Sequence, residues 1–209
     1  MQTETSRKTK KTALRNELRA RRRLLNESDR LALNASINHF LAKFIAEHRP
    51  TTIAAFWPFD GEPNLLPTLE AADQQGIRIA LPVIRQGPAG RSLIFAQWST
   101  AAEVVKNRYG IPEPRGSPEI PLINIDLLLM PLVGWDESGN RLGMGAGLYD
   151  RALAPLSQFD VPIRAGVAYQ IQKVPSVPNE SWDIRLHMLL SETGWFTCPR
   201  DYKPGPAMQ

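Results

Sequence analysis

Residues 126–135, DLLLMPLVGW, carry an almost unbroken run of apolar side chains in this chain of 209 residues. A continuous apolar run is typical of a strand in the middle of a sheet that is covered on both faces. The longer stretch at 122–135, LINIDLLLMPLVGW, is interrupted by Asp126 and contains Pro131, and no apolar run approaches the roughly 20 residues that a membrane-spanning helix needs. We therefore predict a central β-strand in a globular protein without a membrane segment.

The sequence on both sides of this strand alternates between strand-like and helix-like segments. Helical spacing of leucine, isoleucine and phenylalanine predicts a long helix from an N-cap at Ser28 to Pro50. Strands separated by helices predict an α/β fold, a three-layer α/β/α sandwich around a largely parallel central sheet. Apolar runs predict strands at 52–59, 77–84, 92–98, 164–169 and 187–193. Amphipathic patterns predict helices at 64–75, with Gly76 just past the end, and at 148–158.

The basic residues of the chain are concentrated at its N-terminus. Residues 1–30 contain ten Lys or Arg and four Asp or Glu, whereas the rest of the chain contains 15 and 17. A nucleic-acid-binding domain more often spreads its positive charge over a folded face. We predict a basic N-terminal helical extension that packs at one edge of the sheet and meets any anionic ligand. We expect one domain over residues 1–209, with loose tails at 1–10 and about 199–209.

Two features of the sequence bear on the compartment. The single cysteine, Cys198, cannot form a disulfide within the chain, so we expect a packed core to supply stability in a reducing environment. The N-terminus, MQTETSRKTKK, lacks the apolar core of a signal peptide. We expect a cytoplasmic protein that is a monomer.

The segment RLGMGAGLYDR at 141–151 follows the central strand and concentrates three glycines, two arginines, a tyrosine and an aspartate. Ligands of open α/β sheets bind beyond the carboxyl ends of the strands. The glycines remove Cβ atoms that would block the approach of an anion to backbone N–H groups. Arg141 and Arg151 can add charge-assisted bonds to phosphate oxygens, and Asp150 is suited to Mg²⁺. The segment therefore predicts a phosphate-binding loop.

The spacing of these glycines, G-x-G-x-G, matches neither the dinucleotide motif G-x-G-x-x-G nor the Walker motif. By itself this spacing is a weak signal, and a glycine-rich turn without a ligand is the alternative. The flanking arginine, tyrosine and aspartate, placed after a buried strand, favour the phosphate site.

Over a longer stretch the chain resembles the 5-formyltetrahydrofolate cyclo-ligase family, also called 5,10-methenyltetrahydrofolate synthetases. The family signature is close to P-x-x-x-F-D-x-x-G-x-R-L-G-x-G-x-G-[YF]-Y-D-R, and residues 131–151 are PLVGWDESGNRLGMGAGLYDR. The resemblance covers nearly the whole chain. Four weaker elements occur in the family's order: K-x-x-L-R at 11–15, GEPN at 61–64, GIPEP at 110–114 and P-x-E-x-x-D at 178–183.

The resemblance implies a ligase of one-carbon metabolism. Its members use ATP and Mg²⁺ to convert 5-formyltetrahydrofolate into 5,10-methenyltetrahydrofolate, with release of ADP and phosphate. The implied route phosphorylates the formyl oxygen, which is a poor leaving group, and N10 then attacks the iminium phosphate to close the ring. The protein contributes mainly positioning and stabilisation of charge.

The same resemblance implies roles for residues at matching positions. Asp150 and Asp183 are the implied Mg²⁺ ligands, and Arg141, Gly145 and Tyr149 are the implied catalytic residues. The implied ATP site comprises Lys11, Arg15, Arg141, Leu142, Gly143, Met144, Gly145, Ala146, Gly147, Leu148 and Tyr149. The implied folate site, where an aromatic ring stacks on the pterin and a carboxylate accepts from its N–H donors, comprises Trp57, Glu62, Gly145, Gly147 and Tyr149.

The sequence departs from the family pattern at four positions. Leu148 stands where an aromatic residue is usual, and Ala146 replaces a Gly or Lys. Trp135 replaces a common Phe, and His187 stands where a second Asp is frequent. The Leu148 change predicts one stacking contact fewer, and the His187 change leaves no acidic side chain at that position.

Other interpretations stay open from the sequence. One is a binding module that holds folate or nucleotide without turnover. The departures from the family pattern at Leu148 and His187 suggest this alternative. Another is RNA binding through RNELRARRR at 15–23, although aromatic stacking platforms are missing near that segment. We expect a small-molecule substrate and neither a nucleic-acid nor a membrane partner. Purely structural alternatives are a core role for Trp57, a solvated turn for Glu62 and a solvated basic face for Lys11 and Arg15.

Overall fold

The structure is a computed structural model that describes residues 4–88 and 90–199, with side chains from Arg7 onward. None of the helices in these ranges is long and apolar enough to cross a bilayer. In chain order the elements are α1 (Glu4–Arg23), α2 (Glu27–His48), β1 (Thr52–Ala54), α3 (Leu66–Gln74), β2 (Arg78–Gly87), β3 (Gly90–Trp98), β4 (Val104–Lys106), β5 (Pro112–Pro114), β6 (Leu127–Pro131), β7 (Gly134–Trp135), β8 (Arg141–Leu142), α4 (Leu148–Leu153), β9 (Ile163–Val167), β10 (Met188–Ser191) and β11 (Gly194–Thr197).

Seven strands form one mixed sheet in the order β11-β10-β9-β6-β1-β2-β3. The five inner strands are parallel, and the edge strands β3 and β11 run antiparallel to their neighbours. Strand β6 lies at the centre, where Leu128 pairs with Ala54 of β1 and with Arg164 of β9. The predicted α/β fold with a largely parallel sheet is confirmed.

Helices cover both faces of this sheet. On one face Leu127 and Leu129 of β6 share a core with α2 and α3. On the other face Leu128 and Met130 share a core with Leu153 of α4. Successive side chains of β6 thus enter opposite cores, which explains the continuous apolar run and confirms the three-layer arrangement.

Helix α1 lies over the carboxyl ends of the parallel strands rather than beside an edge strand. Its Leu18 is fully buried and packs with Val133, which follows β6, and with Leu142 and Val177. A Cβ atom at Gly134 would lie 2.4 Å from Leu18 Cδ1, so this close approach depends on a residue without a side chain. The basic helix therefore reaches the edge of the sheet where ligands of α/β folds bind.

Several boundaries differ from the prediction. Asn26, not Ser28, caps α2 by accepting the backbone N–H of Asp29 at 2.8 Å. Helix α1 already begins at Glu4, so the loose tail predicted at 1–10 is wrong for residues 4–10. Contacts far apart in sequence hold this part of the helix, because Arg7 pairs with Glu180 and Lys11 pairs with Asp183. The rest of the predicted tails, at 1–3 and 200–209, lies outside the described residues.

Candidate functional site

A cavity of about 840 Å³ opens at the carboxyl ends of the parallel strands. Its walls come from α1, the segment after β1, the β2–β3 hairpin, the loop before α4 and the segment at 180–183. Residues predicted from separate motifs thus converge on one site. Every residue to which the sequence assigned a site role lines it: Lys11, Arg15, Trp57, Glu62, residues 141–150 and Asp183.

A short hairpin presents the glycine-rich loop to this cavity. Strands β7 and β8 pair antiparallel, so that Gly134 faces Leu142. The carboxylate of Asp136 closes the turn between them by accepting the backbone N–H groups of Ser138 at 3.0 Å and Asn140 at 3.1 Å. The glycine-rich loop therefore starts from a fixed support.

The loop is wrapped around an arginine of α1. Arg15 Nε donates to the carbonyl of Gly143 at 2.8 Å, and a Cβ atom at Gly145 would lie 3.4 Å from Arg15 Cζ. Gly145 and Gly147 have φ of +97° and +62°, a conformation that residues with side chains rarely adopt. Residues 144–146 at the tip are exposed. A cationic group from α1 and an exposed backbone turn therefore share one part of the cavity.

Arg141 is enclosed beside Asp150. Its side chain is 5% exposed, and its Nη2 donates to Asp150 Oδ1 at 2.5 Å. The Nε atom of Arg141 is buried without a hydrogen-bond partner among the described residues. Buried donors are normally satisfied, so this N–H is available to an acceptor that the described residues do not supply.

Two acidic residues, Asp150 and Asp183, line the same cavity. Asp183 Oδ2 accepts from Lys11 Nζ at 2.8 Å and from the backbone N–H of Glu180 at 2.9 Å. Asp150 Oδ1 accepts from the backbone N–H of Ile184, the residue after Asp183, at 3.1 Å. Each carboxylate is thus held through one oxygen by these contacts.

Asp150 and Asp183 can supply part of the ligand shell of a metal ion but not all of it. Among the described residues, no group of three or more His, Cys, Asp or Glu side chains is arranged to hold a metal ion. Mg²⁺ in nucleotide sites uses one or two carboxylates and completes its shell with phosphate oxygens and water. Asp150 and Asp183 therefore suit Mg²⁺ that arrives with a phosphate-bearing ligand, not a closed all-protein site.

Another part of the wall combines Trp57, Glu62 and Tyr149. The Trp57 ring packs edge-on against Trp98 with centroids 6.2 Å apart. Glu62 Oε2 accepts the backbone N–H of Phe59 at 3.1 Å. Burial raises the pKa of Glu62 to about 7, although the charge of the nearby Arg22 acts to lower it.

The Tyr149 hydroxyl is buried and has no hydrogen-bond partner in the described part of the chain. Burial, and then the charge of Glu62, raises the pKa of Tyr149 well above its ordinary range. Tyr149 is therefore a fixed donor beside the carboxylate acceptor of Glu62. A flat ligand with both N–H donors and carbonyl oxygens would complement this arrangement.

Sequence reasoning missed Arg22 and Asp60. Arg22 is fully buried, and its guanidinium donates to the carbonyls of Asp60 at 3.0 Å and Leu132 at 3.3 Å and to the Asp60 carboxylate at 3.1 Å. Asp60 also accepts from Arg19 at 2.8 Å and Arg23 at 2.7 Å. Burial acts to raise the pKa of Asp60, but the hydrogen bonds from Arg19 and Arg23 outweigh it and lower the pKa.

These bonds hold α1 against the loop that carries Glu62, only two residues beyond Asp60. Arg22 Nη1 itself lies 3.9 Å from Glu62 Oε1. The available signal was the arginine run at 21–23, which belongs to the segment 15–23 for which RNA binding was an alternative. Three arginines of RNELRARRR are instead paired within the fold.

The four departures from the family pattern fall in different places. Ala146 and Leu148 line the cavity, whereas Trp135 is buried against Phe196 with ring centroids 6.2 Å apart. His187 is buried and accepts the backbone N–H of Cys198 through its carbonyl at 2.9 Å. It is not among the residues that line the cavity, so the missing acid at 187 does not remove a group from the wall.

The chain matches the model of the 5-formyltetrahydrofolate cyclo-ligase family over residues 7–192. It is 32% identical to the 5-formyltetrahydrofolate cyclo-ligase of Haemophilus influenzae over 183 residues, which cover 87% of this chain and 97% of that protein. It is 41% identical to the Escherichia coli K12 protein of the same name over 138 residues, 65% of this chain and 74% of that protein.

Two solved structures have a similar fold. The NMR structure of the Aquifex aeolicus 5,10-methenyltetrahydrofolate synthetase gives a TM-score of 0.77 at 25% identity, covering 95% of this chain and 96% of that one. The synthetase of Mycoplasma pneumoniae gives a TM-score of 0.71 at 26% identity, covering 87% and 98%. The resemblance inferred from the glycine-rich signature is confirmed.

Proposed function

The chain belongs to the 5-formyltetrahydrofolate cyclo-ligase family, and we propose that it converts 5-formyltetrahydrofolate into 5,10-methenyltetrahydrofolate in a reaction that requires ATP and Mg²⁺. The observation that carries the proposal is the shared cavity. A basic, glycine-rich region at Lys11, Arg15 and 143–147 and a donor–acceptor region at Glu62 and Tyr149 line the same space of about 840 Å³. A reaction between a nucleotide and a pterin needs both regions within reach of each other.

The triphosphate of ATP binds the glycine-rich loop and the basic side chains around it. Arg15 already contacts the loop backbone, and Arg141 has a buried Nε–H without a partner. Lys11 is held at the cavity by Asp183 at 2.8 Å. These side chains place three positive charges beside a turn whose glycines leave room for phosphate oxygens.

Asp150 and Asp183 hold Mg²⁺ when the nucleotide is bound. The ion supplies neutralisation of the charge that develops on the transferred phosphoryl group. Both acids are paired with cations in the structure, Asp150 with Arg141 and Asp183 with Lys11. We expect those basic side chains to turn toward the phosphates as the carboxylates take up the metal.

The pterin of the substrate binds beside Trp57, Glu62 and Tyr149. The Glu62 carboxylate accepts the N–H donors of the pterin edge, and the Tyr149 hydroxyl donates to an oxygen of the ligand. Both groups are buried, so their hydrogen bonds are not weakened by competition with water. We expect the N5-formyl group of the substrate to face the glycine-rich loop, because Gly145, Gly147 and Tyr149 line the same cavity.

The chemistry is a phosphoryl transfer followed by ring closure. The γ-phosphoryl group passes to the formyl oxygen, which converts a poor leaving group into a good one. N10 attacks the formyl carbon and gives up its proton, the C–O bond breaks and phosphate leaves with the former formyl oxygen. The chain contributes orientation of the two substrates and positive charge at the phosphates from Arg141 and Lys11.

The test is an assay with purified protein, 5-formyltetrahydrofolate, ATP and Mg²⁺. We expect the methenyl product, seen by its near-ultraviolet absorbance, and ADP in equal amounts. A matched pair of variants is Lys11→Met in the cavity and Lys10→Met, an exposed neighbour outside it. The first variant should lose ATP affinity and the second should not.

Tight binding of both ligands without release of ADP would instead select the non-catalytic binding module. The RNA-binding alternative has no support from the structure, because Arg19, Arg22 and Arg23 are paired with Asp60.

A further inference from the structure

Trp182 is exposed in a way that the other tryptophans are not. The chain has five tryptophans, and each of the other four contacts another aromatic ring in the described structure. Trp182 is 64% exposed, and it also lines the cavity. An indole ring that faces water at the rim of a ligand cavity is a surface on which a flat ligand can stack.

The turn that carries Trp182 is closed by its own hydrogen bonds. The backbone N–H of Asp183 donates to the carbonyl of Glu180 at 3.1 Å, and the N–H of Glu180 donates to Asp183 Oδ2 at 2.9 Å. Both ends of the turn are then bound to α1, through Arg7–Glu180 at 3.0 Å and Lys11–Asp183 at 2.8 Å. The exposed indole is thus carried by a segment with a fixed position.

This turn adjoins the region to which the proposed function assigns the phosphates. Trp182 directly precedes Asp183, which accepts from Lys11, and Ile184 donates to Asp150. Lys8 of α1 and the exposed Met144 of the glycine-rich loop line the same cavity. A base attached to a triphosphate in the loop would find polarizable and apolar side chains on this side.

We propose that the indole of Trp182 stacks on the purine base of the nucleotide. The inference rests on the proposed function, since it takes the triphosphate to lie at Lys11, Arg15 and 143–147. The chemical class of ligand is a planar heteroaromatic base linked to phosphates. Stacking on an indole is tolerant of base identity, so Trp182 contributes affinity for ATP and little discrimination between purines.

The experiment compares Mg·ATP with Mg·tripolyphosphate, which carries the phosphates without a base. Dissociation constants of wild type, Trp182→Ala and Trp182→Phe are measured by calorimetry. We expect Trp182→Ala to weaken ATP binding on the order of 10- to 100-fold and to leave tripolyphosphate unchanged. Trp182→Phe should retain most of the ATP affinity, because a phenyl ring also offers a stacking face.

Fluorescence gives a second measurement on folded protein. ATP should quench the tryptophan emission of wild type, tripolyphosphate should not, and Trp182→Phe should remove the quench. Phe159→Ala is the matched control, because Phe159 is an exposed aromatic residue, 54% accessible, that does not line the cavity. Its ATP affinity should equal that of wild type.

Two results would overturn the stacking contact while the proposed function stands. One is an unchanged ATP affinity in Trp182→Ala. The other is an equal loss of ATP and tripolyphosphate, which would mean that Trp182 only supports the turn at 180–183. Failure of wild type to bind either ligand would overturn both the inference and the proposed nucleotide site.

Discussion

Replacing Glu62 by glutamine keeps the shape of the side chain and removes its charge. The Glu62 side chain is 9% exposed, and Arg22 Nη1 lies 3.9 Å away, beyond hydrogen-bonding distance. Burial raises the pKa of Glu62 from 4.5 to about 7. The folded protein therefore holds this proton more tightly than the unfolded chain does. The associated stability is fully present below pH 4.5 and is lost as the pH rises through about 7.

The size of this effect follows from the two pKa values. Their difference corresponds to about 3 kcal/mol, since one pKa unit is worth about 1.4 kcal/mol. At pH 8 the wild-type protein bears the whole cost of the buried charge of Glu62, and the glutamine variant avoids it. We expect Glu62→Gln to be more stable at pH 8 by about 3 kcal/mol, a rise in Tm of about 6–12 °C for a chain of this size.

Urea unfolding of the ligand-free proteins between pH 4 and pH 8.5 measures the difference. The two free energies of unfolding should be nearly equal at pH 4, below the unfolded pKa, and should separate as the pH rises. The same variant should bind 5-formyltetrahydrofolate more weakly, because the carboxylate that accepts the pterin N–H groups is gone, while its ATP affinity is retained. A glutamine variant that is no more stable at pH 8, or whose advantage does not change with pH, would refute the reasoning.

Three further changes test other parts of the site. Asp150→Asn should raise the Mg²⁺ concentration for half-maximal rate on the order of 10-fold or more, and an unchanged Mg²⁺ titration would remove Asp150 from the metal site. Arg141→Ala should weaken ATP binding roughly 10- to 100-fold, as expected for a charge-assisted hydrogen bond, and should affect folate less; equal loss of both ligands would contradict a phosphate role. Arg22→Met should lower the free energy of unfolding by about 3–5 kcal/mol, and combining it with Asp60→Asn should cost less than the sum of the two single changes. Additive losses in that double variant would show that the Arg22–Asp60 bonds do not hold α1 in place.

The central strand of the fold was predictable because burial on both faces requires apolar residues at consecutive positions of the sequence. Strand β6 is buried on both faces, and this appears in the sequence as a nearly continuous apolar run that begins at Leu127. The same run hides where the strand ends, because Leu132 and Val133 are buried as loop residues beyond Pro131. Strands β3 and β11 pair antiparallel with β2 and β10, the strands that precede them in the chain, and the apolar pattern does not encode this direction.

The site was predictable where a motif is continuous and hidden where contacts are long-range. The glycine-rich loop at 141–151 is one segment, and its place after a buried strand indicated the cavity. Arg22 and Asp60 meet across 38 residues, and Lys11 and Asp183 across 172. A run of basic residues has the same appearance in sequence whether it faces solvent or pairs with a distant acid.

The central claim is that the γ-phosphoryl group of ATP is transferred to the formyl oxygen within this one cavity. It is tested most directly with 5-formyltetrahydrofolate that carries ¹⁸O in its formyl group. The phosphate released during turnover should contain one ¹⁸O atom per methenyl product formed. Phosphate that instead takes its new oxygen from water would contradict the proposed transfer, even if the methenyl product accumulates.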